Sequence, residues 1–309
     1  MQPRPASSTN TRTPAGRLIL PIAAVAALAL VLASAGCAKN GDTSMTPLPA
    51  SINGREDLPS YAELVERYNA NLQRLDRMWA TTVVALRYKD ENDRWQREQG
   101  EGHFIFISPD RVALTVGKVG NTILWAGSNE ERFWLLDLRK DGIAHVGLRE
   151  NLGRACSQPL PLPVTPDVVP YLLGLLPLDS QVGPLGGAVQ LVDGHYVIEP
   201  TGLNLRIKLN VDTALPMQVD LLDPQGQTVI VSELSQHRRV QVEGLALGPR
   251  VATRVQISVV DEDARMNIAM ADMNDGRRHN TIRDRTFDYD HLIRVHKPAE
   301  IRQLDADCP

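Results

Sequence analysis

Apolar residues beyond residue 60 recur first at helical spacing and then at every second position. In "SYAELVERYNANLQRLDRMW", Tyr61, Leu64, Val65, Tyr68, Leu72, Leu75 and Trp79 fall on one helical side, and Glu66, Arg67, Gln73, Arg74 and Arg77 on the other. Ser60 and Glu63 have the spacing of a reciprocal capping pair. The pattern predicts one long amphipathic helix, whose apolar stripe needs a sheet to lie on.

From Ala80 the period is two, in "ATTVVALRYKD", "GHFIFISPDRVALTVGKVG" and "TILWAGSNEERFWLLDLRKDGIAHVGL". Turns are expected at Ser108, Pro109 and Asp110, at Gly127, Ser128 and Asn129, and at Asp141 and Gly142. These segments form a meander. Next comes the very apolar "SQPLPLPVTPDVVPYLLGLLPLD", a short helix with Thr165 as its cap, Pro166 in its first position and Pro170 limiting its length. Strands then resume with "LNLRIKLNVD", where Leu203, Leu205, Ile207, Leu209 and Val211 are set to be buried and the alternating polar residues to be wet. Two hairpins follow, turning at 223–226 and 261–263. Sheets with one solvated face are antiparallel. The fold class is therefore α+β, a curved antiparallel sheet forming an unclosed β-barrel with helices covering its concave face.

The stretch before this domain changes the picture. Arg4, Arg12 and Arg17 precede an apolar run at 18–33, which ends in Ala33, Ser34, Ala35, Gly36 and then Cys37. The run is short for a spanning helix, and its small residues suit a signal peptidase. The stretch resembles the lipobox of bacterial lipoproteins, although Ser34 stands where Leu is usual. That resemblance implies a signal peptide at 1–36 and a Cys37 carrying diacylglycerol and palmitate-type acyl chains. An uncleaved signal anchor is the alternative. Residues 37–59, rich in Pro, Ser, Thr and Gly, read as a tether, and 60–309 as one domain. Ala38 follows the cysteine, which by analogy with known envelopes points to the outer membrane, facing the periplasm.

The 33 basic and 37 acidic residues give a formal charge of −4, which becomes −7 once residues 1–36, holding three Arg and no acid, are set aside. Such a balance leaves no basic footprint for nucleic acid. Cys156 and Cys308 would meet an oxidising compartment, where they either bridge or stay free thiols.

The order of elements, with "YAELVERYNANLQRLDRM", "GEGHFIFISPDRVALTV", "GNTILWAGSNEERFWLLDL" and "LNLRIKLNVDTALPMQVDLLDPQGQTV", resembles the LolA/LolB lipoprotein-carrier superfamily, which includes the stress sensor RseB. The resemblance spans roughly residues 60–290. It implies an open barrel with a helical lid over an apolar cavity that holds acyl chains of lipoproteins or related lipids. Leu172, Leu176, Trp125, Trp134, Met266 and Met270 are the candidates to line it. With 168–178 as a lid, Asp at Leu172 and Leu176 is expected to leave the fold intact and abolish acyl-chain binding.

Catalytic and metal chemistry find no pattern. His291 and His296 share no face, "DMNDG" at 272–276 resembles a calcium loop but has its glycine one residue early, and "GPLGGA" lacks the Lys and Ser/Thr of a phosphate loop. No enzyme, cofactor or metal is expected. Three functions stay open: a membrane-anchored, lipid- or lipoprotein-binding envelope protein; a protein-interaction or sensing module on the same fold; and a structural lipoprotein whose barrel is filled by its own side chains.

Overall fold

The computed structural model describes residues 58–89, 93–139, 142–154, 164–180, 187–277 and 281–305. Cys37, Cys156, Cys308, the signal segment and nearly all of the tether lie outside them, as does "GPLGGA" except for its last two residues.

Helix α1 (Tyr61–Leu72) starts as its sequence dictates. The Ser60 hydroxyl accepts the Glu63 N–H, and the Glu63 carboxylate accepts the Ser60 N–H at 2.7 Å. It is shorter than its pattern implies, because β1 (Arg77–Lys89) begins before Trp79. Period-two alternation already holds from Met78, whose side chain is fully buried between α1 and the sheet, so Trp79 points to the opposite face.

Five more strands complete a first meander: β2 (Trp95–Ile107), β3 (Arg111–Lys118), β4 (Asn121–Ser128), β5 (Arg132–Asp137) and β6 (Ile143–Leu148). Helix α2 (Val169–Leu172) is a single turn entered through a tight turn at 165–168. Pro170 therefore sits in the first helical turn, where a missing N–H costs nothing, and Pro166 precedes the helix instead of opening it. The second meander is β7 (Val189–Val192), β8 (His195–Ile198), β9 (Leu205–Asn210), β10 (Pro216–Leu222), β11 (Thr228–Arg239), β12 (Arg250–Val259) and β13 (Arg265–Asn274). Helix α3 (Tyr289–His296) and β14 (Glu300–Gln303) end the described chain.

All fourteen described strands join one sheet in the order β14-β6-β5-β4-β3-β2-β1-β13-β12-β11-β10-β9-β8-β7. The two meanders meet where β1 pairs with β13, in a register that sets Val84 opposite Ile268 and Leu86 opposite Met266. Only β14 runs parallel to its neighbour among these pairs. The terminal strands β14 and β7 do not pair with each other, so the barrel is unclosed.

The main core lies on the concave face. Tyr61, Leu64, Val65, Tyr68 and Leu72 of α1, with Leu172, Leu173, Leu175, Leu176 and Leu178 around α2, pack on the inward side chains of both meanders. Each such leucine contributes about 1.5–3 kcal/mol of transfer free energy. The outer face is not bare either. Helix α3 lays Tyr289 and Leu292 on Trp134, Leu136, Ala144 and Val146, and Ile282 and Phe287 cover Ile105 and Ala113.

The outward side of β9 also differs from the wet face its alternation implies. Arg206 is sealed from solvent and its Nε donates to Glu199 at 2.8 Å.

Candidate functional site

The concave face is filled under α1 and around α2, and opens into an apolar cleft toward β3, β4 and β5. Its floor is Val84 and Leu86 of β1, Val112, Leu114 and Val116 of β3, Leu124 and Ala126 of β4, Leu135 of β5 and Met266 of β13. Its roof is Val164, Pro166 and Val169. The cavity volume is about 70 Å³. No charged side chain lines it.

The segment that continues from the roof, 172–178, is pinned from both sides. Tyr68 Oη donates to the Leu176 carbonyl at 3.0 Å, and Ser232 Oγ donates to the Leu172 carbonyl at 2.7 Å. Asn69 exchanges two hydrogen bonds with Leu178. Burial of Tyr68 pushes its phenol up from its ordinary value, so it remains a neutral donor.

The six cavity candidates are thus separated. Met266 lines the cleft, and Met270 lies two positions along the same face, in the core. Leu172 and Leu176 are buried in the main core and do not line the cleft, whereas Val169 does. Trp125 and Trp134 are a correction, because both point to the outer face. Trp134 is fully buried against Tyr289, ring centroids 5.8 Å apart, and Trp125 meets His296 edge-on at 5.5 Å. The register explains this, since Trp125 pairs with Leu136 and Gly127 with Trp134, while Ala126 and Leu135 take the inner side. Gly127 is required there, for a Cβ would stand 2.8 Å from the Trp134 ring.

One end of the cleft carries a polar rim that pattern reading missed. Arg139, just beyond β5, holds Asp137 through Nε at 2.8 Å and Nη2 at 2.5 Å. Its Nη1 reaches across the concave face to Tyr88 Oη of β1 and to Glu98 Oε1 of β2, the latter at 3.2 Å. Lys118 of β3 pairs with the other Glu98 oxygen. Bonding to Asp137 raises the Arg139 guanidinium still further above its ordinary value, so it is a permanent cation.

Strands β3 and β4 lie between Arg139 and its partners, and a side chain spans that distance only because the sheet is sharply curved. Part of the curvature is local to Gly102, where a Cβ would fall 1.8 Å from the Thr115 carbonyl oxygen, and the His103 N–H is taken by Thr115 Oγ1 at 3.0 Å. The signal in sequence is that the inward alternation turns polar at Tyr88, Glu98, Lys118 and Asp137 on four separate strands.

"DMNDG" ends β13 and forms a turn. Asp275 is buried, and its carboxylate accepts the Glu243 N–H at 3.0 Å and the Arg277 N–H at 3.1 Å. Those bonds brace the turn.

No family model and no curated protein sequence matches the chain. Solved structures similar to it include a LolA superfamily protein from Nitrosomonas europaea, 12% identical, with a TM-score of 0.47, covering 76% of this chain and 100% of that one. A second is described as an outer membrane lipoprotein-sorting protein domain from Vibrio parahaemolyticus, at 12% identity and TM-score 0.47, covering 75% of this chain and 97% of that one. A third, a DUF1329 family protein from Desulfovibrio piger, has 12% identity and TM-score 0.41 over 75% of this chain and 97% of its own.

Proposed function

We propose that this chain is a cell-envelope protein, anchored by lipid at Cys37 and facing the periplasm, that receives the end of an acyl chain in its half-barrel. The observation that carries the reading is the apolar cleft between Val169 and the floor residues Leu86, Val116, Leu124 and Met266. Methylenes entering it leave water at about 0.8 kcal/mol each, and the flexible Met266 adapts to the shape of the guest.

The resting cavity of about 70 Å³ holds only the tip of a chain. Deeper insertion requires the roof at 164–169 to lift, so binding selects an opened form. Binding of this kind needs no nucleophile, metal or cofactor, and we assign none. The signal-like segment ending at Cys37 supports the anchor and the envelope location.

Titration of the full chain with a fluorescent single-chain fatty acid tests the reading. Saturable one-to-one binding that an unlabelled fatty alcohol competes away is expected. No saturable binding would leave the barrel as a self-filled structural module.

A further inference from the structure

We propose that the Arg139 and Lys118 rim is the head-group site of the cleft, and that the guest is a single-chain amphiphile with an anionic head, such as a carboxylate. The inference rests on the cleft taking acyl chains and adds which end of the molecule is recognised.

Placement is the first argument. Leu86 and Leu124 form part of the cleft floor, and they are the cross-strand partners of Glu98 and Asp137. Tyr88 and Lys118 lie two residues beyond the floor residues Leu86 and Val116 on the same strands, hence on the same face. The concave surface therefore changes from hydrocarbon to charge within one side-chain step, on several adjacent strands at once. An apolar chain in the cleft has its polar end at this rim.

The open donors of the two cations, and the exposure of one of them, give the sign we assign to that end. Both Glu98 oxygens already accept, one from Arg139 and one from Lys118. Both Asp137 oxygens accept from the Arg139 guanidinium, and one also takes the Arg139 N–H. The cations are not used up. The Lys118 ammonium has three donors, of which Glu98 takes one, and among the described residues no other acceptor holds it. Arg139 has five donors, of which these contacts use four. The two cations together keep three open N–H donors beside the cleft, and these suit a head made of acceptors. Lys118 is also the most exposed of the four charged groups, at 47% of its side-chain surface, so a head arriving from solvent meets it first.

The test compares dodecanoate with dodecanol, equal in chain length and different in head, by competition against an uncharged fluorescent acyl probe on the full chain. In the wild type, added salt should weaken dodecanoate and leave dodecanol unchanged. Arg139→Gln and Lys118→Gln should each lower the ratio of dodecanoate to dodecanol affinity, roughly tenfold, the scale of one charge-assisted hydrogen bond, while dodecanol still binds. Should Arg139→Gln fail to keep its far-UV spectrum, the more exposed Lys118→Gln carries the comparison. An unchanged ratio in the folded variants, with dodecanol bound, would overturn the head-group site and leave the cleft standing. Binding of neither compound to the wild type would overturn both.

Discussion

Asn69 on α1 grips Leu178 with both ends of its amide: Nδ2 donates to the Leu178 carbonyl at 2.7 Å, and Oδ1 accepts the Leu178 N–H at 2.9 Å. This pair joins the capped helix to the leucine-rich stretch that follows α2 and so anchors the segment that continues from the roof. Asn69→Ala would leave two partly buried backbone groups without partners. A loss of about 1–3 kcal/mol in denaturant midpoint stability is expected, with increased binding of a hydrophobic dye from a loosened roof. Unchanged dye binding would mean that the leucines alone hold the roof.

Leu172 and Leu176 belong to this packing and not to a displaceable surface. Leu172→Ala should cost about 2–5 kcal/mol, and Asp at either position should unfold the domain instead of only blocking a ligand. Urea unfolding of the single Ala variants checks this.

The outer layer makes its own prediction. Gly127→Ala drives a methyl into the Trp134 ring, which has α3 on its other side. Destabilisation of about 1–3 kcal/mol is expected, with a red shift in tryptophan emission as α3 is pushed away. Emission of the wild-type kind in a fully stable variant would show that the ring yields without cost.

That layer was the least legible part of the sequence. Alternation identifies the buried side of a strand only when the other side is wet. In "RFWLLD" of β5, the middle four residues are all buried, with the segment 164–169 over Leu135 on one side and α3 over Trp134 and Leu136 on the other. Trp125 and Trp134 therefore could not be assigned to a face from spacing. Helix α3 did leave a signal, with Asp288 capping the His291 N–H at 2.9 Å, Tyr289 and Leu292 three apart, and Lys297 ahead of Pro298 as a stop. The first half of β2 is hidden for the opposite reason. Its inward Glu98 belongs to the polar rim, so "WQREQG" shows no apolar face. By contrast, the capping pair at Ser60, the turn at 223–226 and the inward leucines of β9 were readable, since each depends on local chemistry or a one-sided core.

Acidification should destabilise the fold. Burial holds His237 below the ordinary imidazole value, with Arg250 adding to the effect and a bond to the Pro216 carbonyl opposing it. Burial first and His291 second do the same for His296. The folded chain therefore binds fewer protons than the unfolded chain as pH falls below about 6.5. The stability these two groups contribute is complete above that value and is lost as pH drops through their folded values. Melting temperatures should fall over that window, and His237→Gln should flatten the dependence.

The cleft itself is tested most directly by filling it. Ala126 lies on its floor between Leu114 and Leu135 in the strand register, so Ala126→Phe occupies the space where a chain end would sit. The decisive measurement is the affinity of a fluorescent fatty acid for wild type and Ala126→Phe, both confirmed as folded by far-UV circular dichroism. The account predicts saturable binding by the wild type and at least a tenfold loss in the variant, about 1.4 kcal/mol or more. Equal affinity in the two proteins would contradict it and put any bound chain elsewhere on the molecule.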